Sequence, residues 1–196
     1  MKICPRCEKS VKETERFCKF CGFYFPLIEI EFKKLIVIHA DIEGFTRFSS
    51  ISLPETVGET LKNIFSSLIS IFESYGVFIN QFYGDEIVGL MGLSGIKENL
   101  PERALEIQSK VHSFFKNYKL KISMEYGDLF LTFHKTDGSS YLLVCGEAEE
   151  RAREGMKFIK GGETAIGINL LNSLNKNIKT LPATNIRNDI FILQGI

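Results

Sequence analysis

The apolar positions of this chain change period several times after Pro26, and each change marks an element. Lys34–Asp41 is a short apolar run of strand length and reads as a buried strand. Ser52–Tyr75 follows a helical period, with Val57, Leu61, Ile64, Phe65, Leu68, Phe72 and Tyr75 on one face. Ser52 and Glu55 have the spacing of a capping box, Pro54 suits a first turn, and Gly76 stops the helix. Val77–Phe82 and Glu86–Met91 are strand-like and meet at Tyr83-Gly84-Asp85, which predicts a hairpin. A second helix is expected over Leu100–Tyr118, capped by Asn99, with Ala104, Val111, Phe114, Phe115 and Tyr118 facing inward. Lys119–Tyr126, Leu129–His134 and Tyr141–Cys145 read as strands, with Cys145 buried in the last. Glu147–Phe158 is a charged helix ended by Gly161-Gly162, and a short strand follows at Thr164–Ile168. The order from Lys34 is β-α-β-β-α-β with extra elements appended. That is an α+β chain with the split βαβ, ferredoxin-like arrangement: a mainly antiparallel sheet with helices on one face.

The chain has 196 residues, 44% of them hydrophobic, enough to bury the core of one domain with a small appendage. Its 24 Lys+Arg balance 24 Asp+Glu, so there is no bulk basic charge for nucleic-acid binding and no acidic tail. Its longest apolar stretches, Phe23–Ile28 and Leu35–Ile38, fall far short of the roughly 20 residues a membrane helix needs. The N-terminus opens without an apolar leader. A cytoplasmic protein without membrane or nucleic-acid partners is the expectation. No internal repeat or low-complexity stretch occurs.

Four of the five cysteines form two Cys-x-x-Cys knuckles, Cys4/Cys7 and Cys18/Cys21, ten residues apart. Each knuckle can aim two thiolates at one centre, and together they make the tetrahedral sulfur site that Zn²⁺ occupies with bonds of about 2.3 Å. Two disulfides or a redox pair are the other readings. A redox pair belongs at a helix start in a βαβ unit, and no such unit surrounds these cysteines. Residues 1–25 therefore read as a zinc ribbon whose metal supplies its folding energy, separate from a second domain over 32–196. Six basic residues against three acidic ones leave it no nucleic-acid patch, and four filled ligand positions leave none for catalysis.

Asp41 ends the first strand and Asp85 sits in the hairpin. In a split βαβ sheet those elements are central neighbours, so the two carboxylates can converge beside a Gly44-containing turn. Such a place suits divalent cations and a nucleoside triphosphate, although aspartates at strand ends and turns are common for purely local reasons. His39, two residues before Asp41, faces the same side and reads as a core histidine. His112 is expected to face solvent and His134 to end a strand at the surface. None has a Ser or Cys partner for nucleophilic catalysis.

The segments Val37–Ser49 (VIHADIEGFTRFS) and Phe78–Gly92 (FINQFYGDEIVGLMG) resemble the two opening motifs of class III adenylyl/guanylyl cyclase catalytic domains. Glu102–Val111, Ile122–Leu131, Tyr141–Glu154, Lys160–Gly167 and the closing Phe191–Ile196 are similar to its later segments, in order. The resemblance implies a dimer with the active site shared across its interface. It implies that Asp41, Asp85 and the Ile42 carbonyl hold up to two Mg²⁺ or Mn²⁺ ions and that Glu43, Gly44, Phe45 and Thr46 cradle the phosphates of ATP or GTP. The chemistry implied is cyclisation of the triphosphate with loss of pyrophosphate. The likeness runs to the end of the sequence, where such a domain closes, so any downstream effector module is either absent or was removed.

The partner side of that shared site departs from the family pattern. The base-reading positions fall on Gln81 and Leu143, where the family often has Lys and then Asp or Thr, so ATP and GTP are not distinguished. The ribose-orienting Asn falls on Glu150, and the charge-stabilising Arg falls on Glu154. A glutamate for that arginine adds repulsion as well as removing a donor. Arg151 and Arg153 project about 100° per residue away from the positions needed. A homodimer is therefore expected to be inactive. The chain reads as the metal-donating half of a heterodimeric cyclase or as a pseudo-cyclase with a regulatory role. An enzyme active by itself, or a zinc-ribbon protein-binding adaptor without nucleotide, are the alternatives.

Overall fold

The computed structural model describes residues 1–4, 6–12, 14–15, 17–23, 28–93, 98–135, 140–174, 183–187 and 189–193. The expected turn Thr136–Ser139, the first two residues (26–27) of the join between the two expected domains, and the final three residues of the last motif lie outside them, as does the side chain of His134.

The chain divides into two compact units. One comprises Met1–Phe32 with Phe130–Val144, the other Lys33–Leu129 with Cys145–Ile196. In the first, β1 (Lys2–Ile3) and β2 (Ser10–Val11) form an antiparallel pair. Their small core is Cys4, Val11 and Cys18, packed by Cys7, Cys21 and Phe23. So few apolar groups cannot hold a fold by themselves.

The remaining elements are β3 (Ile28–Ile42), α1 (Phe45–Ile51), α2 (Pro54–Ser74), β4 (Val77–Tyr83), β5 (Glu86–Met91), α3 (Leu100–Phe114), β6 (Leu120–Lys135), β7 (Ser140–Cys145), α4 (Glu147–Gly155), β8 (Thr164–Gly167), α5 (Ile168–Ser173), β9 (Ala183–Arg187) and β10 (Ile190–Leu193). The sheet order is β4-β5-β3-β6-β8-β10-β9, with β7 paired to β6. The β4-β5-β3-β6 core is the split βαβ arrangement, with β3 central. Pairing of β3 with β5 is antiparallel, and β6 with β8 is parallel. The fold is α+β with a mainly antiparallel sheet.

Alternation along the strands builds two cores. Ile36, Ile38, Ala40 and Ile42 of β3 and Ile122 and Met124 of β6 pack with Ile64, Leu68 and Phe72 of α2 and Ala104, Ile107 and Val111 of α3. Leu35, Val37 and His39 take the other face and are equally buried. There α4 lies close through small residues: a Cβ on Gly155 would come within 2.2 Å of Ser123 Oγ. Helices thus cover both faces, not one.

Several local expectations are corrected. The helix α2 starts at Pro54 with Leu53 as its cap and no side-chain cap bond, so the Ser52/Glu55 box does not form. Proline presets the first turn without it. The helix α3 ends at Phe114, which leaves Phe114 57% and Tyr118 45% exposed. Lys119–Tyr126 and Leu129–His134 join into the single strand β6, and Cys145 is exposed. His112 is half-buried: its Nε2 lies 2.8 Å from Thr164 Oγ1, which donates to Gln108 Oε1. The short helix α1, which no period announced, follows the loop after β3.

Candidate functional site

Sheet order brings three charged groups to one end of the central strands. Asp41 comes from the end of β3, Asp85 from the β4–β5 turn, and Lys121 from the start of β6. The register sets Asp41 opposite Glu86, the residue after Asp85. Burial, then the charge and hydrogen-bonding contact of the Asp41 carboxyl, push Asp85 up to about 6, against the pull of Lys121. Asp41 itself is held by Lys121, with Nζ 2.5 Å from Oδ2. Two carboxylates therefore converge beside a single ammonium, which lies against Asp41. Hard oxygen donors so disposed fit a divalent cation.

Beyond Asp41 the chain turns through Glu43 and Gly44. Gly44 has φ 77, a left-handed conformation that a Cβ disfavours, and caps α1. The Glu43 N–H donates to Lys119 O at 2.9 Å, which ties this loop to the segment leading into β6. Phe45 is buried, while Glu43, Gly44 and Thr46 are exposed.

His39 is 1% exposed, and its Nδ1 is bonded to Glu86 Oε1. Its Nε2 stands 3.9 Å from Glu149 Oε1. The buried imidazole is thus bonded to β5, while its other nitrogen approaches α4 without a hydrogen bond.

The partner-side positions are arranged differently. Glu150 is exposed and Glu154 is half-exposed on α4. Arg151 bonds Glu147 through Nε at 3.0 Å and Nη2 at 2.6 Å, and Arg153 is bonded to Glu149. Each guanidinium thus pairs with a carboxylate one turn back on its own helix. Gln81 follows a register shift in β4, where Ile79 and Gln81 face consecutive residues of β5. Leu143 is 61% exposed on β7. The sequence reading missed Lys121 and the tied state of the two arginines. Lys121 was legible as a residue of β6 alternating with Leu120 and Ile122, once β6 was placed beside β3.

At the N-terminus the Sγ atoms of Cys4, Cys7, Cys18 and Cys21 all lie within 4.8 Å of one another. The Cys4–Cys21 and Cys7–Cys18 separations are both 3.6 Å. That is far beyond a disulfide of about 2.05 Å. It is close to the edge, about 3.8 Å, of a tetrahedron with metal–sulfur bonds of about 2.3 Å. Burial opposes ionisation of Cys18, but N–H groups of Phe20 and Cys21 outweigh it and bring the thiol down to about 7. The four sulfurs can hold a metal ion.

No protein-family model matches the chain, and no curated protein matches it. Solved structures do. The adenylyl cyclase CyaB from P. aeruginosa is 18% identical, with a TM-score of 0.71 over 84% of this chain and 94% of its own. A dimeric guanylyl cyclase domain of the RhoGC fusion protein from Blastocladiella emersonii is 17% identical, with a TM-score of 0.73 over 85% and 98%. The guanylate cyclase domain of RhGC from Catenaria anguillulae, solved with GTP, is 16% identical, with a TM-score of 0.71 over 83% and 95%. The chain has the fold of adenylyl and guanylyl cyclase catalytic domains. Among the described residues no helix is long and apolar enough to cross a membrane.

Proposed function

We propose that this chain supplies the cation- and phosphate-holding half of a class III nucleotidyl cyclase centre, completed across a dimer interface by a different cyclase-type chain. One contrast carries the reading. Asp41, Asp85 and Lys121 converge, while Glu150 and Glu154 stand at the partner-side positions and Arg151 and Arg153 are tied to Glu147 and Glu149.

Asp41, Asp85 and the Ile42 carbonyl would hold Mg²⁺ or Mn²⁺, which supplies Lewis-acid activation of the ribose 3′-hydroxyl and charge neutralisation on the triphosphate. Burial and the Asp41 carboxyl push Asp85 up to about 6, and the cation would be held by its ionised form. With a cation on Asp41, the Lys121 ammonium would be available to the phosphates, which the backbone of Glu43–Thr46 would cradle. In the overall reaction the 3′-oxygen bonds to the α-phosphorus, the bond to pyrophosphate breaks, and the hydroxyl proton leaves with solvent. Base recognition and stabilisation of the transition-state charge fall to the other chain. The nucleotide is a purine triphosphate, ATP or GTP, as the GTP-bound neighbour suggests. Residues 1–25 form a structural zinc ribbon ahead of the 32–196 cyclase-like domain, and the protein works in the cytoplasm.

The test is cyclase activity of the purified chain with Mn²⁺ and ATP or GTP, beside Asp85→Asn. The reading expects no cyclic nucleotide from either protein. Product that vanishes in Asp85→Asn would show that the chain forms a complete site with its own copy.

A further inference from the structure

On the side of the loop away from the aspartates the chain leaves a half-open hollow of about 190 Å³. Its walls are Ile42, Phe45, Phe48, Thr60, Ile64 and Tyr118, mostly apolar atoms. Ile42 and Asp41 are successive strand residues, so their side chains leave opposite faces of the sheet. Ile42 joins the helix-side core while Asp41 meets Lys121. The hollow therefore shares the Ile42–Phe45 segment with the proposed cation and phosphate site but neither of its aspartates.

No described side chain fills this space. Phe45 and Phe48 stand as a tilted pair with ring centroids 5.7 Å apart. An adjoining hollow of about 220 Å³ shares Ile64 and Tyr118 and adds Phe114. Phe114 and Tyr118 stay largely exposed instead of closing either one. An apolar cavity of about 150 Å³ already takes benzene. The aromatic walls select a flat ring, and the almost wholly apolar lining favours a neutral one.

We propose that this hollow is a binding site for a small, flat, neutral ring compound, and that filling it changes cation binding at Asp41 and Asp85. The first half stands by itself; the second rests on the half-site reading above. The connection is short. The wall residue Tyr118 is followed by Lys119, whose carbonyl accepts the Glu43 N–H at 2.9 Å, and two residues later by Lys121 on Asp41. A ring seated between Tyr118 and Phe45 braces both ends of that hydrogen bond.

4-Fluoroindole, followed by ¹⁹F NMR against the full chain, is the probe. The expected result is saturable binding in or below the millimolar range, what about ten non-hydrogen atoms sustain. Thr60→Phe, which fills the hollow from the half-buried flank of α2, abolishes it with little change in melting temperature, and Thr60→Ser preserves it. Tyr118→Ala, which opens the wall, weakens it at least about fivefold, so the site stays testable if Thr60→Phe does not fold. Mn²⁺ titrations with and without saturating probe should differ at least about threefold in Kd, with the reciprocal change in probe affinity. Absence of saturation, or equal binding by a folded Thr60→Phe, overturns the site. Binding that leaves the Mn²⁺ Kd unchanged overturns the coupling. A chain that takes the probe but no Mn²⁺ refutes the half-site reading and leaves the hollow as a ligand site.

Discussion

Lys121 Nζ lies 2.5 Å from Asp41 Oδ2, with both side chains about one-fifth exposed. The ammonium stands where a divalent cation would compete for the same oxygen. On the proposed reading, cation binding at Asp41 would be an exchange that makes the lysine available to an anion. Lys121→Met removes the competitor. Mn²⁺ should bind about tenfold more tightly, in keeping with a partly buried charge interaction of about 1–2 kcal/mol, while affinity for nucleoside triphosphate falls. Calorimetric titration with Mn²⁺, then with nucleotide, checks both directions. An unchanged Mn²⁺ Kd would mean that Lys121 does not guard Asp41.

Asp85 sets a pH dependence of opposite sign to that of an ordinary salt-bridged carboxylate. Its folded value, about 6, lies above its usual value of 3.8. The folded state thus holds a proton that the unfolded chain releases, and the stability this contributes is fully present below about 3.8 and lost as pH rises through about 6. Asp85→Asn abolishes that loss. Without added Mg²⁺ or Mn²⁺, the melting temperature of the variant relative to the unsubstituted protein should climb between pH 4 and 6 and then level off. A difference independent of pH would contradict the Asp41–Asp85 contact.

The four-cysteine cluster predicts one zinc per chain. Co²⁺ substitution should give the visible and charge-transfer absorption of a tetrahedral thiolate site, and Cys4→Ser should lose it together with the metal. With so small a core, removing metal unfolds residues 1–23, since binding free energies of about 10–16 kcal/mol serve as the folding energy of such modules. Native mass spectrometry reads the stoichiometry. A metal-free, folded N-terminus would refute the site.

Gly167 owes its place to Glu125. A Cβ there would sit 1.8 Å from Glu125 Oε2, a fully buried carboxylate that burial pushes toward its neutral form. Its Oε1 accepts from the Tyr126 and Leu170 N–H groups at 2.8 and 2.9 Å. Gly167→Ala should cost about 3 kcal/mol, roughly 6–12 °C of melting temperature at this size. Adding Glu125→Ser should restore part of the loss. Equal melting temperatures for Gly167→Ala and the unsubstituted protein would count against this packing.

Strand and helix order were legible because the core elements carry strong periods: the apolar face of α2, the short run in β3 and the glycine-marked hairpin between β4 and β5. The convergence of Asp41 and Asp85 followed from that order alone. What the sequence hid were tertiary choices. The outward turn of Phe114 and Tyr118 depends on where α3 stops. The packing of α4 on the second face depends on Ala148, Ala152 and Gly155, small residues that leave no periodic signal. Lys121 could be assigned to Asp41 only when β6 was known to flank β3, and the pairing of Arg151 and Arg153 with Glu147 and Glu149 competes with functions their positions would otherwise allow.

The central claim is that this chain completes a cyclase centre only with a partner of complementary deficiency. The direct measurement mixes it with a cyclase domain that keeps its base-reading lysine, its asparagine and its arginine but carries asparagine at both cation-binding aspartates. The account predicts Mn²⁺-dependent cyclic nucleotide from the mixture, none from either chain alone, and none when this chain carries Asp85→Asn. A mixture as silent as its components, although the two chains associate, would contradict it.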